Sequence, residues 1–251
     1  MKISQTELLS VLHNMTAIKN DDFARLFLLK KSENLLRDFL TIELEKLCRK
    51  KGGDFTTAVH EFSKKRHDVA ILTGGINRRR SITYSPTTII ELKFTKAAWI
   101  TKNNNAPVGE KFVVQDNIWR ENMKRREDIL GKESGVKKDL VKMIQSQSQS
   151  ENKLAIHQIV ALVNPHQQVD NKYRHIVDGI NLFNNQLSKY GNDHGALFQS
   201  ALESFRAQLD VIQTVFLDER KLEIGYETIT IGEALGTLVD LHYVVISEKN
   251  I

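Results

Sequence analysis

The chain holds a single cysteine, Cys48, among 251 residues. One thiol cannot close an internal disulfide, and it excludes every zinc site built on two or more cysteines. Long apolar runs are missing as well: none approaches the ~18 residues that a membrane-spanning helix needs. The opening "MKISQTELLSVLHN" alternates polar and apolar residues and lacks the apolar core of a signal peptide. Together these absences predict a cytoplasmic protein. Phosphate-cradling motifs are absent too. Neither GxxxxGKS/T nor GxGxxG occurs, and "TGGIN" is too short to serve, so ATP use is not expected. A nucleophile elbow is lacking. Of the eight histidines, His157 lies in a strand-like run and His166, His175 and His194 in or near loops. None shows HExxH or His-x-His spacing. Satisfied or exposed histidines are expected rather than metal ligands.

What is present is charge, unevenly placed. Residues 1–150 carry 28 Lys/Arg against 18 Asp/Glu, while residues 151–251 carry 8 against 13. A basic half beside an acidic half points to a polyanionic partner for the first.

Periodicity then gives the organisation. Gln5–Asn14 and Asn20–Leu29 have the spacing of short amphipathic helices. Ser32 is placed to cap a longer helix, "ENLLRDFLTIELEKLCRK", which "KGGD" terminates. Strand-like "FTTAVHEFS" and "RHDVAIL" follow, then "TGGINRRRSITYSPT", whose Gly and Pro predict a loop, then "TIIELKF". An irregular stretch with an Asn run leads to helical patterns over 115–130 and 136–147. "KLAIHQIVALVNP" reads as a fourth strand. A helix near 178–190, a stronger one around 196–217 and a last strand, "LHYVVIS", complete the chain. This order predicts an α/β fold, a mixed central sheet flanked by helices. The expected division is a helical extension over 1–31, a core over 32–165, and a part over 166–251 that completes or extends it.

"TTIIELKF" poses a chemical problem. Ile89, Ile90, Leu92 and Phe94 make a buried strand, yet Glu91 and Lys93 sit inside it and, two apart, share a face. Buried charge is costly unless paired. Asp68 lies in the preceding apolar strand. Two carboxylates on neighbouring strands repel, and a divalent ion that prefers oxygen ligands resolves the repulsion. His67 alternates to the face opposite Asp68 and is left outside this group.

"RHD" followed by "IELK" resembles the PD-(D/E)xK nuclease superfamily, which includes many restriction endonucleases, over roughly Glu33 to Pro165. His67 stands where that motif has proline. The resemblance implies a restriction-endonuclease-like core that hydrolyses DNA, as type II restriction or defence enzymes do. Asp68 and Glu91, with the main-chain carbonyl of Leu92, would hold Mg²⁺, which Mn²⁺ would replace, and Lys93 would serve the attacking water. Members often carry an acidic residue on the helix before the sheet. At about 100° per residue, Leu35, Leu36, Phe39, Leu40 and Leu47 share one helix face with Glu43 near its centre, which makes Glu43 the first candidate and Glu33 the second. "DLVKM" (Asp139 to Met143) is similar to a segment that members place after the catalytic strands, and is taken as structural.

Double-stranded DNA would be held by Lys/Arg near the site: Lys64, Lys65, Arg66, Arg78, Arg79, Arg80, Lys96, the Lys124–Arg126 run, and Lys137, Lys138 and Lys142. Cutting both strands often uses two active sites, so a homodimer is expected, with the acidic C-terminal part and its helix around 196–217 as a dimer interface or a partner site. Exonucleases and recombination nucleases share the motif. The alternative from another class is a nucleic-acid-binding or regulatory protein that keeps the fold without catalysis.

Overall fold

The central run "AIHQIVALVNP" has almost no polar alternation, which is the pattern of a strand covered on both faces. It forms β4 (Ala155–Pro165), buried from Ile156 onward. The computed structural model describes residues 1–15, 18–29, 33–52, 56–62, 67–76, 82–99, 136–148, 154–177, 180–216 and 222–248. Among the described residues, six strands build one mixed sheet around β4. They are β1 (Thr56–Phe62), β2 (His67–Ile76), β3 (Ile82–Lys96), β4, β5 (Leu222–Ala234) and β6 (Thr237–Glu248), ordered β1-β2-β3-β4-β6-β5. Only β3 and β4 run parallel; the other neighbours are antiparallel. The chain is an α/β protein with helices on both sheet faces.

Each face has its own core because alternate side chains point opposite ways. On one side Ile90, Leu92 and Phe94 of β3, Ile159 and Ala161 of β4 and Tyr243 of β6 meet the first three helices. These are α1 (Gln5–His13), α2 (Asp21–Leu29) and α3 (Glu33–Gly52). α1 starts from a capping box in which Ser4 Oγ accepts from the Glu7 N–H and Glu7 Oε2 accepts from the Ser4 N–H. α3 buries Leu36, Leu40, Leu44 and Cys48, a strict four-residue spacing along one stripe; each such leucine contributes about 1.5–3 kcal/mol. On the other side Ile89, Val160, Val244 and Ile246 meet Leu140 and Met143 of α4 (Val136–Ser148) and Leu202 and Phe205 of α6 (His194–Phe216). The remaining helix, α5 (Ile180–Lys189), joins a small third cluster with Leu197 of α6.

Segments 32–165 and 166–251 thus share one sheet, and the helices of segment 1–31 pack into a core of that sheet. Ile3, Leu8 and Phe27 belong to the same cluster as Leu92 and Val245, and Gln5 Nε2 donates to the carbonyls of Glu223 and Val245. No helix among the described residues is long and apolar enough to cross a membrane.

Two elements differ from the sequence expectation. The supposed loop after "RHDVAIL" is largely a hairpin: β2 and β3 stay paired out to Ile76↔Ile82, and Pro86 is accommodated at a register shift after Ile71. β5 was not expected at all. It is an edge strand with a register shift between Thr230 and Gly232, and only part of its length is buried, so its apolar alternation is faint.

Candidate active site

The candidate site lies where the sheet splits. The β2–β3 ladder ends at Val69↔Ile90, whereas β3 continues beside β4 from Glu91↔Gln158 to Lys96↔Val163. Beyond Ile90, the main-chain N–H groups of β3 on the β2 side lose their strand partner, and a buried N–H without an acceptor is costly. Carboxylates replace the missing carbonyls. Asp68 Oδ2 accepts from the Leu92 N–H at 2.7 Å, and Glu33 Oε2, from the first turn of α3, accepts from the Phe94 N–H at 3.3 Å.

Glu91 and Lys93 do share a face, and it is the one covered by α4. Lys142 Nζ donates to Glu91 Oε1 at 2.6 Å, and Lys93 Nζ lies 2.9 Å from Asp139 Oδ2. Asp139 and Lys142 are three apart on a helix and therefore neighbours on one surface. Lys93 Nζ also donates to the Leu92 carbonyl at 3.3 Å and lies 3.9 Å from Glu33 Oε1. "DLVKM" is thus more than a structural signature: two of its residues pair with the charged residues of β3.

His67 is a correction. Its Nδ1 sits 2.6 Å from Glu91 Oε1 and its Nε2 3.2 Å from Ser146 Oγ of α4. Alternation assigned it to the opposite face, but His67 lies past the last β2–β3 pair and is held by β1 alone, at the terminal pair Phe62↔His67.

The electrostatics follow from burial. Glu33, Asp68, Glu91 and Asp139 place four carboxylates beside the two ammonium groups of Lys93 and Lys142. Burial pushes the Asp68 carboxyl above the usual carboxylate range, and Glu91 adds to this, while the Leu92 N–H, Lys93 and Lys142 oppose it. Glu33 is raised in the same way, first by burial and then by Asp68 and Asp139, against Lys93 and the Phe94 N–H. Burial pulls Lys93 down, but Asp139, Glu33 and Asp68 outweigh it and leave its pKa above that of an ordinary lysine. These carboxylates therefore favour the ammonium form of Lys93.

Four carboxylates beside two ammonium groups make a half-buried, oxygen-rich cluster that suits a divalent cation with oxygen ligands. A second observation agrees. Gln158, fully buried on β4 opposite Glu91, donates from Nε2 to the Glu91 carbonyl at 3.2 Å, and its Oε1 has no hydrogen-bond partner among the described residues. A polar oxygen in that position is a further potential ligand. Sequence reasoning missed Gln158 because nothing in "IHQIV" marks one polar residue as special until its strand partner is known.

The other sequence candidates fare differently. Glu43 pairs with Lys46 at 2.7 Å and lies ten residues from Glu33, about 15 Å along the helix; Glu33, the second choice, is the acidic residue that α3 brings to Lys93. Lys96 is buried and is not offered to a passing duplex. Lys142 faces Glu91 instead of standing ready for a phosphate. Lys64, Lys65, Arg66, Arg78, Arg79, Arg80 and the Lys124–Arg126 run lie outside the described residues, as do the side chains of Lys137 and Lys138. Comparison of the chain with protein-family models, with curated proteins and with solved structures finds no match.

Proposed function

We propose that this chain is a divalent-metal-dependent deoxyribonuclease with a restriction-endonuclease-like core, cutting phosphodiester bonds at the split between β2 and β3. The carrying observation is the meeting of Asp68, Glu91 and Lys93 in an oxygen-rich cluster at one point of the sheet. Asp68, Glu91 and the Leu92 carbonyl would hold Mg²⁺ or Mn²⁺, with Gln158 Oε1 beside them. When bound, such an ion supplies Lewis-acid stabilisation of charge on the phosphoryl oxygens and a more acidic water. Lys93, in its ammonium form, orients the attacking water or a phosphate oxygen. Asp139 and Glu33 hold its ammonium in place. The basic N-terminal half supports double-stranded DNA as the substrate, and two copies would serve two strands.

One observation favours the binding-only alternative: Glu91 Oε1 is already held by both His67 and Lys142. An ion must compete with these partners. Plasmid cleavage in Mg²⁺ or Mn²⁺ separates the two. A nuclease cuts, and Asp68→Ala and Lys93→Ala each lower the rate on the order of 10²-fold or more while DNA binding persists. Wild-type protein that binds DNA but cuts with neither ion is a binding protein.

A further inference from the structure

The far end of the same sheet carries a second polar cluster, built from residues that the sequence gives no reason to group. His166 follows β4 directly, His194 opens α6, and Asp240 lies on β6. They are dozens of residues apart, which is why no ligand spacing was visible and why these histidines were expected to be merely satisfied or exposed. His157 and His175 fit that expectation, the first hydrogen-bonded on both nitrogens and the second exposed. His166 and His194 do not.

His166 Nε2 lies 2.9 Å from Asp240 Oδ2 and His194 Nε2 3.7 Å from the same oxygen. The donor atoms of all three residues fall within 4.8 Å of one another. Bond lengths near 2.0–2.1 Å at a tetrahedral ion require donors about 3.3 Å apart, a spacing these separations bracket. The close approach of His166 is not an ordinary hydrogen bond, since Nε2 is buried without a hydrogen-bond partner among the described residues.

The carboxylate is also prepared. Asp240 is buried, and its Oδ1 accepts from Thr230 Oγ1 at 2.8 Å, which fixes its orientation and leaves Oδ2 towards the two rings. Such support of a ligating carboxylate by a hydrogen bond is the usual outer shell of a metal site. Asn164, in register with Asp240, donates from Nδ2 to the His194 carbonyl at 2.9 Å and so anchors the start of α6.

We propose that His166, His194 and Asp240 form a binding site for a divalent transition ion of the Zn²⁺ class, with a fourth position open to water or a ligand. Two imidazoles and one carboxylate are a donor set for such an ion and a poor one for Mg²⁺. The site lies about 20 Å along β4 from the strand partner of Lys93, so it is separate from the candidate active site. It would tie the end of β4, the start of α6 and β6 together. The rings are now stacked 3.8 Å apart at 13°, so their nitrogen lone pairs lie in nearly parallel planes and do not converge. Binding therefore turns at least one ring about the soft χ2 torsion. His194, whose side chain is one-third exposed, has room to turn.

The test is titration of the chelator-treated full chain with Co²⁺, followed by visible absorption and then by displacement with Zn²⁺. The expected result is one equivalent of a tetrahedral-type Co²⁺ band, bleached by Zn²⁺ and retained in Asp68→Ala. His194→Ala and Asp240→Asn should each weaken uptake more than tenfold, and Thr230→Val about tenfold. Zn²⁺ should raise the melting temperature of wild type but not of His194→Ala. Should Asp240→Asn fail to fold, His194→Ala carries the test alone. Wild-type protein that gives no such band, or a band that survives in His194→Ala, overturns the proposal.

Discussion

Asp68 Oδ2 accepts the main-chain N–H of Leu92 at 2.7 Å, so a side chain finishes a ladder that the main chain of β2 has left. The same carboxylate carries two duties, closing the sheet and supplying negative charge, and substitution can separate them. Asp68→Ala strips the buried N–H of its acceptor and should cost about 1–3 kcal/mol. Asp68→Asn keeps an oxygen acceptor and removes a charge that burial disfavours, so its stability should equal or exceed that of wild type. Both variants should lose metal-dependent cleavage. Urea unfolding beside a plasmid assay checks this, and equal destabilisation of the two would show that acceptance of the N–H contributes nothing.

The second prediction concerns Glu91, whose buried carboxylate is held by Lys142 and His67. Removing one member of a buried charge pair leaves the other uncompensated. Lys142 is about one-quarter exposed, which places the loss for Lys142→Met at about 3 kcal/mol, the lower end of the range for a buried pair. The Glu91→Gln/Lys142→Met double variant should lose clearly less than the sum of the two single losses. Additive losses in denaturant unfolding would mean that the contact carries no coupling.

How much of this was legible beforehand depends on the range of the interaction concerned. Glu91 and Lys93 were readable because their sharing of a face is a local consequence of strand periodicity, and Asp68 because an acid stands out in "VAIL". Helix α4, strand β4 and the buried part of β3 were readable from the same local patterns. His67 was misplaced because the β2–β3 pairing stops before it while β1 still holds it, and where that pairing stops is set by a partner strand. Glu43 was preferred to Glu33 because the apolar stripe gives the face of α3 but not which of its ends meets the sheet's split. Gln158, Asp139 and Lys142 acquire their roles only through the parallel β3–β4 register and the seating of α4, which are tertiary facts. Strand β5, at the edge, lacks the double-sided burial that made β4 obvious.

His157 supplies a pH dependence. Its Nε2 must donate to the Ile3 carbonyl, an obligate acceptor, and in the neutral ring Nδ1 accepts from the Ser247 hydroxyl. Burial pushes its pKa down to about 4, although the bond to Ile3 and the charge of Glu7 oppose the shift. The unfolded chain, titrating near ~6.5, therefore binds more protons than the native state between pH 6.5 and 4. The stabilisation is complete above pH ~6.5 and declines as pH falls through this window, by on the order of 2–3 kcal/mol. Asp68 and Glu33, raised in the fold, act with the opposite sign, so the variant comparison is the informative one. His157→Gln, able to donate and accept at the same places, should show a shallower fall in urea stability from pH 6.5 to 4.5 than wild type. Parallel curves would exclude His157 as the source.

The last prediction tests the docking of α2 on the edge strand. Gly232 follows a register shift in β5 after Thr230, and a Cβ there would stand 2.5 Å from Asp21 Oδ1, 2.9 Å from the Asp21 main-chain nitrogen and 3.0 Å from the Asn20 carbonyl carbon. Two of these three are backbone atoms, which cannot rotate away. The same Asp21 Oδ1 accepts from the Glu233 N–H at 2.8 Å, so relief of the clash would pull this bond apart as well. Gly232→Ala should therefore cost about 1–3 kcal/mol, as overpacking does elsewhere. Gly75→Ala is the control: its Cβ would meet nothing within 4 Å among the described residues, and its effect should stay within about 0.5 kcal/mol. Urea midpoints measure both. If the two glycines proved equally tolerant, the first turn of α2 would not be seated on β5 as closely as the contact at Gly232 requires.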